Sequence, residues 1–326
     1  MQHRLRDTQI LGTDDASIAR AAGILRAGGL VSFPTETVYG LGADATSGEA
    51  VAGIYSAKRR PAFNPLISHV PTLDQALVQG TFDEHAKLLA GAFWPGPLTL
   101  VVPVSADCSV SDLARAGLDT VALRVPDHQV ARSLLQATGR PVAAPSANLS
   151  GTVSPTCAAH VLEGLGGRID AIVDAGPCSV GVESTIVACM GERPRILRPG
   201  GVAREEIERL VGAIDEGAHA AGPLLAPGML ASHYAPRAAM RLAASFVQSG
   251  EAVLDFSGQL SSGFAAAVAY LDLSPDGDLA HAAANLFAFM RELDASGAAQ
   301  IAVAPIPRNG LGEAINDRLS RAAADR

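Results

Sequence analysis

Four short stretches concentrate the residue types that bind phosphate and carboxylate: Phe33-Pro-Thr-Glu-Thr-Val-Tyr-Gly-Leu41, Lys58-Arg-Arg-Pro61, Asn64-Pro-Leu66 and Ser146-Ala-Asn-Leu-Ser-Gly151. Cations and small hydroxyls at strand and helix ends are the donors a polyphosphate needs, because charge-assisted hydrogen bonds to its oxygens are strong and directional. Arg124, after an apolar run and before Pro126, and Arg198, before Pro199-Gly200, are further strand-end cations able to clamp a carboxylate or phosphate through paired bonds. His69 closes Leu66-Ile-Ser-His69, at the strand end where α/β sheets present ligand-binding groups. Each residue alone has a structural reading. Cations in a last helical turn gain ~0.3–1 kcal/mol from the helix dipole, a lone histidine at a strand end is commonly structural, and a lone arginine commonly pairs on the surface. Their company argues for a site.

Familiar single-motif chemistry is missing. Ser146 lies in Ala143-Ala-Pro-Ser-Ala147, which is not the GxSxG nucleophile elbow. There is no GxxxxGK[ST] loop and no HExxH, and Gly164-Leu-Gly-Gly167 reads as a helix stop. An ATP site must therefore be assembled from dispersed residues. Ser154-Pro155 reads as a helix N-cap followed by proline at the first helical position, a place that also offers unpaired N–H groups to an anion. A net charge of -8 argues against a surface that embraces nucleic acid, so any basic site must be local. Cys108, Cys157, Cys178 and Cys189 are scattered without a CxxC pair and suggest neither zinc nor a disulfide framework. No run approaches the ~18 apolar residues of a membrane helix, and Met1-Gln-His-Arg-Leu-Arg-Asp7 lacks a signal-peptide apolar region. A cytoplasmic protein without a membrane partner is expected.

The elements that would position these residues alternate. Thr13 before Asp14-Asp15, with Ile18, Ala22 and Leu25 at helical spacing and then Gly28-Gly29, reads as a capped helix running into a strand over Leu30 to Phe33. Further strands are expected at 66–70, 98–102, 121–125, 142–144 and 185–188, and helices around 49–58, 83–92, 127–138 and 155–165. This is an α/β domain with its sheet largely covered. After Pro199-Gly-Gly201 a charged helix over Arg204 to Ile214 gives way to the Pro/Gly-rich Gly217 to Gly228, read as a linker. Beyond Arg237, strands near 251–256, 267–272 and 299–303 and helices near 279–294 and 311–323 suffice for a small second α/β domain.

Taken together, these residues closely resemble the YrdC-like family of L-threonylcarbamoyladenylate synthases in its longer, two-domain form. Lys58-x-Arg60 and Ser146-x-Asn148 match the family's KxR and SxN elements, Pro227-Gly-Met229 with His233-Tyr-Ala-Pro236 matches its linker, and Gly310-Leu-Gly-Glu-Ala-Ile-Asn-Asp-Arg-Leu319 its accessory domain. The resemblance implies a YrdC-like twisted mixed sheet with helices over residues 10–205, a linker and lid over 206–238, and a Rossmann-like α/β domain over 239–326. It implies the reaction of L-threonine, bicarbonate and ATP to threonylcarbamoyl-AMP and pyrophosphate, for threonylcarbamoyladenosine in tRNA. Thr37, His69, Arg124, Ala144 and Ser184 would hold L-threonine. Arg60, Asn64, Thr120, Ser146, Ser154 and Arg198 would hold ATP, Lys58 and Asn148 would complete the catalytic floor with Arg60 and Ser146, and Tyr234 would close over the nucleotide. Mg2+ is expected with the triphosphate, held mainly by phosphate oxygens and water, with no protein metal site. The tRNA threonylcarbamoyl-transferase complex is the implied partner, with direct tRNA binding weak or absent. The competing reading is an RNA- or tRNA-binding module without catalysis. Family linkers often carry basic residues where this chain has Leu230-Ala-Ser232, which argues against linker cations at the phosphates here.

Overall fold

Asp14, rather than Thr13, caps the first helix: its carboxylate accepts from the Ser17 amide at 3.0 Å, because helical geometry already begins at Asp15. The structure is a computed structural model and describes residues 7–61, 64–215 and 233–324. In chain order the first unit comprises β1 (Gln9–Leu11), α1 (Asp15–Arg26), β2 (Val31–Phe33), β3 (Gly40–Asp44), α2 (Gly48–Lys58), β4 (Ile67–His69), α3 (Leu73–Gln79), α4 (Glu84–Phe93), β5 (Leu98–Pro103), β6 (Thr120–Arg124), α5 (Gln129–Thr138), β7 (Val142–Ala143), α6 (Ala158–Leu165), β8 (Ala171–Val173), β9 (Thr185–Ala188), β10 (Arg195–Arg198) and α7 (Arg204–Val211). Its strands form one sheet in the order β1-β8-β2-β3-β7-β4-β6-β5-β9-β10. Parallel pairs such as β4 with β6 stand beside antiparallel pairs such as β3 with β7, so the sheet is mixed, as the family resemblance implied. Strands β1, β3, β8 and β10 are not among those expected from sequence. Gly40-Leu-Gly-Ala-Asp44 lacks the β-branched residues that mark a strand, and Ala171-Ile-Val173 is too short to signal one.

The sheet is buried on both faces. Val51, Ile54 and Tyr55 of α2 pack with Leu41, Leu66, Leu100 and Leu123, while Ala22 and Leu25 of α1 and Leu134 and Leu135 of α5 pack with Val31 and Phe33 on another cluster. Helix α6 begins at Ala158, with Cys157 as its cap residue, so Ser154-Pro155 is not the helix start that the sequence suggested. Helix α7 stops at Val211, short of the expected Ile214, because Gly212 takes the terminal position at φ 78°. The expected linker segment 206–238 therefore begins inside a helix, and residues 216–232, which include Pro227-Gly-Met229 and Leu230-Ala-Ser232, lie outside the described residues.

The second unit comprises β11 (Ala239–Arg241), β12 (Ala252–Asp255), a 3-10 turn (Ser261–Ala266), β13 (Ala269–Asp272), α8 (Leu279–Ala295), β14 (Gln300–Val303) and α9 (Leu311–Ala323). Its sheet, β11-β14-β12-β13, is parallel throughout. The two units pack on each other: Val38, Val153 and Val182 of the first join Leu286, Phe287 and Met290 of the second in one core. Gly181, at φ 77°, makes the approach possible, since a Cβ there would lie 2.3 Å from the Ala283 carbonyl oxygen of α8. Among the described residues no helix is long and apolar enough to cross a membrane.

Candidate active site

His69 and Arg124 are register partners at the ends of the parallel strands β4 and β6, so the sheet itself sets them side by side. They open into a cavity also lined by Thr35, Thr37, Gly40, Arg60, Ala144, Ser146, Glu183, Ser184, Arg198, His233 and Tyr234. The Arg124 guanidinium is held from three sides. Its Nε donates to the Gly96 carbonyl at 3.3 Å, one terminal nitrogen donates to Thr37 Oγ1 at 2.9 Å, and the other lies 2.6 Å from Glu36 Oε1. The last contact is ionic rather than an aligned hydrogen bond, since both Glu36 oxygens lack a hydrogen-bond partner among the described residues. Thr37 is itself placed by Thr35, whose hydroxyl pairs with it at 2.8 Å and accepts from the Thr37 and Val38 amides. His69 is buried against the edge of Phe33, and its Nδ1 has no partner among the described residues. Burial, and then the Arg124 charge, push its pKa down to about 3, so the ring is neutral at pH 7.

A second cationic wall stands at β9 and β10. Arg198 donates to the Ser184 carbonyl at 2.9 Å, and Ser184 Oγ shares a hydrogen bond with Thr99 at 2.8 Å. This closeness depends on Gly200: a Cβ there would fall 2.3 Å from the Glu183 carbonyl oxygen. On the opposite side α2 ends in Arg59 at φ 52°, a left-handed residue that turns the chain so that Arg60 folds back into the protein. Arg60 donates to the Pro65 carbonyl at 3.2 Å and lines the cavity; burial lowers its pKa to about 10, leaving it charged. Lys58 closes the last turn of α2. Its buried amino group donates to the carbonyls of Ser146 and Asn148, each at 2.5 Å, which fixes the loop after β7 from below.

Thr37, Arg60, His69, Arg124, Ala144, Ser146, Ser184, Arg198 and Tyr234 therefore converge on the cavity, whereas five other residues singled out from sequence do not line it. Lys58 and Asn148 lie beneath it, and the Asn148 side chain donates to the Thr152 carbonyl at 2.8 Å. Asn64 is buried, with its carbonyl oxygen accepting from Tyr55 at 3.1 Å. Ser154 donates to Glu183 Oε1 at 2.6 Å instead of capping a helix. Thr120 opens β6 and so stands roughly 13 Å along the strand from Arg124 at its other end.

His233 and Tyr234 line the cavity beside these walls. Tyr234 adopts φ 65°, stacks on Phe287 of α8 at 5.4 Å and meets His233 edge-on. The Arg318 guanidinium of α9 lies 5.4 Å from the same ring, and its Nε donates to Glu183 Oε2 at 2.8 Å. Burial would raise the Glu183 pKa, but Arg318, Arg198 and the Ser154 hydroxyl bring it to about 2. Glu36, Glu183, His233 and Arg318 were not singled out from sequence as site residues. Glu36 and Glu183 each sit beside a chosen residue, but Arg318 is 135 residues from its partner and carries no local signal.

Residues 23–200 match the family model described as Telomere recombination (Sua5, YciO and YrdC), and residues 202–324 match the one described as Threonylcarbamoyl-AMP synthase, C-terminal domain. The chain is 42% identical over 334 residues to a threonylcarbamoyl-AMP synthase of Bacillus subtilis (strain 168), with 98% of this chain and 96% of that protein covered. It is 42% identical over 336 residues to a threonylcarbamoyl-AMP synthase of Pyrococcus abyssi, with 96% of each covered. Its structure resembles the crystal structure of P. abyssi Sua5 complexed with L-threonine at a TM-score of 0.89 and 38% identity, covering 97% of this chain and 98% of that one. E. coli YciO, 22% identical with a TM-score of 0.52 over 60% of this chain and 96% of its own, shares the fold.

Proposed function

This chain belongs to the two-domain threonylcarbamoyl-AMP synthase family, and from that premise we propose how its cavity carries out the reaction. The enzyme joins L-threonine, bicarbonate and ATP into threonylcarbamoyl-AMP and pyrophosphate. The threonine amine attacks the carbon of bicarbonate, a C–N bond forms as water leaves, and a carbamate results. A carbamate oxygen then attacks the α-phosphorus as the bond to the bridging oxygen breaks and pyrophosphate departs. Positioning and charge neutralisation carry such a displacement, with no nucleophilic side chain required.

The observation that carries the assignment of sides is the Arg124 fork beside a neutral His69 whose Nδ1 is unpartnered among the described residues. Arg124 receives the threonine carboxylate, with Thr37 and Glu36 fixing its plane. His69 serves as a ligand for the amine or hydroxyl of threonine, because a ring with a pKa of about 3 is a poor proton sink at neutral pH. Ser184 and the backbone at Ala144 complete this end. Arg60 and Arg198 neutralise the phosphates, Ser146 holds them on the loop fixed by Lys58 and Asn148, and Tyr234 covers the nucleotide. Asn64 and Ser154 act from beneath, through Arg60 and Glu183 respectively.

Mg2+ enters with ATP as part of the substrate, on phosphate oxygens and water. Glu183, which lines the cavity, is already used by Arg318 and Ser154. The product is passed in the cytoplasm to the tRNA threonylcarbamoyl-transferase complex, with direct tRNA binding weak or absent on a chain of net charge -8. The test is pyrophosphate release with L-threonine, bicarbonate and ATP each omitted in turn, and the nucleotide product identified by mass. Release that needs all three and yields threonylcarbamoyl-AMP is expected. Nucleotide binding without release by the folded protein would overturn the reading.

A further inference from the structure

We infer that Arg318, contributed by the last helix of the C-terminal domain, is a positioning residue for the nucleotide: it holds Tyr234 and Glu183 so that the cavity mouth is formed only across the domain seam. The inference rests on the reading of Tyr234 as the cover of the ATP end.

Arg318 is held by neighbours from both domains. Arg318 is fully buried, and its Nε reaches Glu183 of the other domain at 2.8 Å while a terminal nitrogen donates to Asp317 at 2.7 Å. The guanidinium lies 5.4 Å from the Tyr234 ring centroid, and that ring also stacks on Phe287 at 5.4 Å with 26° between the planes. The C-terminal domain therefore supplies both the apolar and the cationic neighbour of the ring, within the range where a desolvated cation and an aromatic face attract. This support matters because Tyr234 sits at φ 65°, a backbone state that a residue with a side chain keeps only when its surroundings over-determine it. Glu183 transmits the same hold to the catalytic domain: its second oxygen accepts from Ser154 at 2.6 Å, and its neighbour Ser184 receives Arg198. On the far side of that segment Arg291 of α8 pairs with Glu163 and donates to the Val153 carbonyl, so the docked domain holds residue 153 directly and Ser154 through Glu183. Arg318 does not line the cavity.

The test compares Arg318→Met, Arg318→Lys and Tyr234→Ala in the full chain, measuring KM for ATP and for L-threonine separately together with the loss rate of bound adenylate. Arg318→Met is expected to raise KM for ATP about tenfold and to speed adenylate loss, leaving KM for L-threonine within twofold. Arg318→Lys, which keeps the charge without the planar fork, should fall between it and wild type. Combining Arg318→Met with Tyr234→Ala should be no worse than Tyr234→Ala alone, the non-additivity of residues acting as one unit. A merely structural role would lower the folded fraction and the melting midpoint while leaving both KM values unchanged, and that result overturns the inference, as would full additivity. If Arg318→Met does not fold, the Arg318→Lys ratio of the two KM values decides. A wild-type protein that turns over no ATP would instead sink the parent reading.

Discussion

Asp255 of the C-terminal domain is completely buried, yet its carboxylate accepts from the Phe256 amide at 2.7 Å, the Leu260 amide at 2.9 Å and the Tyr270 hydroxyl. In the N-terminal domain, by contrast, buried polar atoms of Arg60, Asn64, His69 and Asn148 have no hydrogen-bond partner among the described residues. The same α/β layering thus serves two ends. Where every buried donor and acceptor is matched, the polar group tightens a loop. Where they are left unmatched around a cavity, the cost of desolvation is met in advance, and a ligand that completes the bonds gains nearly their full strength. Beyond the linker, only Arg291 and Arg318 among the described residues retain such an atom, and both lie on the seam with the first domain.

The contrast breaks first at Arg124. Replacing it by lysine keeps a charge for Glu36 but removes the fork, and should raise KM for L-threonine about 100-fold, the loss of one charge-assisted pair at about 2.7 kcal/mol. An unchanged KM for L-threonine, measured by pyrophosphate release, would remove Arg124 from the site. The opposite case is Asp255→Ala, which orphans buried donors and should cost roughly 2 kcal/mol in urea unfolding. The protein that remains folded should show ordinary KM values; altered values would mean that the two domains do not divide the labour as described. A third measurement uses acidity. His69 and His233 both have folded pKa values of about 3, below the ordinary 6.5 of the unfolded chain, with burial as the main cause. Protons therefore bind the unfolded state first, so stability should be full above pH 6.5 and fall toward pH 3, by up to ~1.4 kcal/mol per pH unit for each ring. His69→Gln should flatten the slope of urea midpoint against pH, and an unaltered slope would contradict a buried neutral His69. The smallest effect belongs to Ser154→Ala, which deletes one hydrogen bond to a carboxylate that Arg318 still holds. About 1 kcal/mol of stability and less than a threefold change in KM for ATP are expected; a tenfold rise would show that Ser154 contacts ATP itself.

Much of this molecule was legible before its structure. The apolar runs leading to His69 and Arg124 identified strands, and helical spacing in Val51, Ile54 and Tyr55 identified α2, because period and end signals are local properties. Strand β3 escaped because two glycines and an alanine carry no strand preference; it is held by pairing with β2 on one side and with the distant β7 on the other. Lys58 and Arg60 were read together as cations at a helix end, but one left-handed residue between them sends Lys58 under the Ser146 loop and Arg60 to the cavity wall. Ser154 looked like a helix cap because Ser-Pro often is one; Glu183, a long-range acceptor, won its hydroxyl. Arg318 stood in the quoted Gly310–Leu319 stretch without a role, since its tie to Glu183 crosses between the domains.

The buried cross-brace from Lys58 to the carbonyls of Ser146 and Asn148 also gives the chain an unusual chemical asymmetry. The sequence has two lysines, Lys58 and Lys87, and Lys87 is exposed on α4 while Lys58 is 1% exposed. An amine-directed acylating reagent should therefore mark Lys87 of the folded protein and spare the buried Lys58. Modification of Lys58, read by peptide mass, would then report the opening of the cavity floor, with Lys87 as the internal standard for reagent exposure.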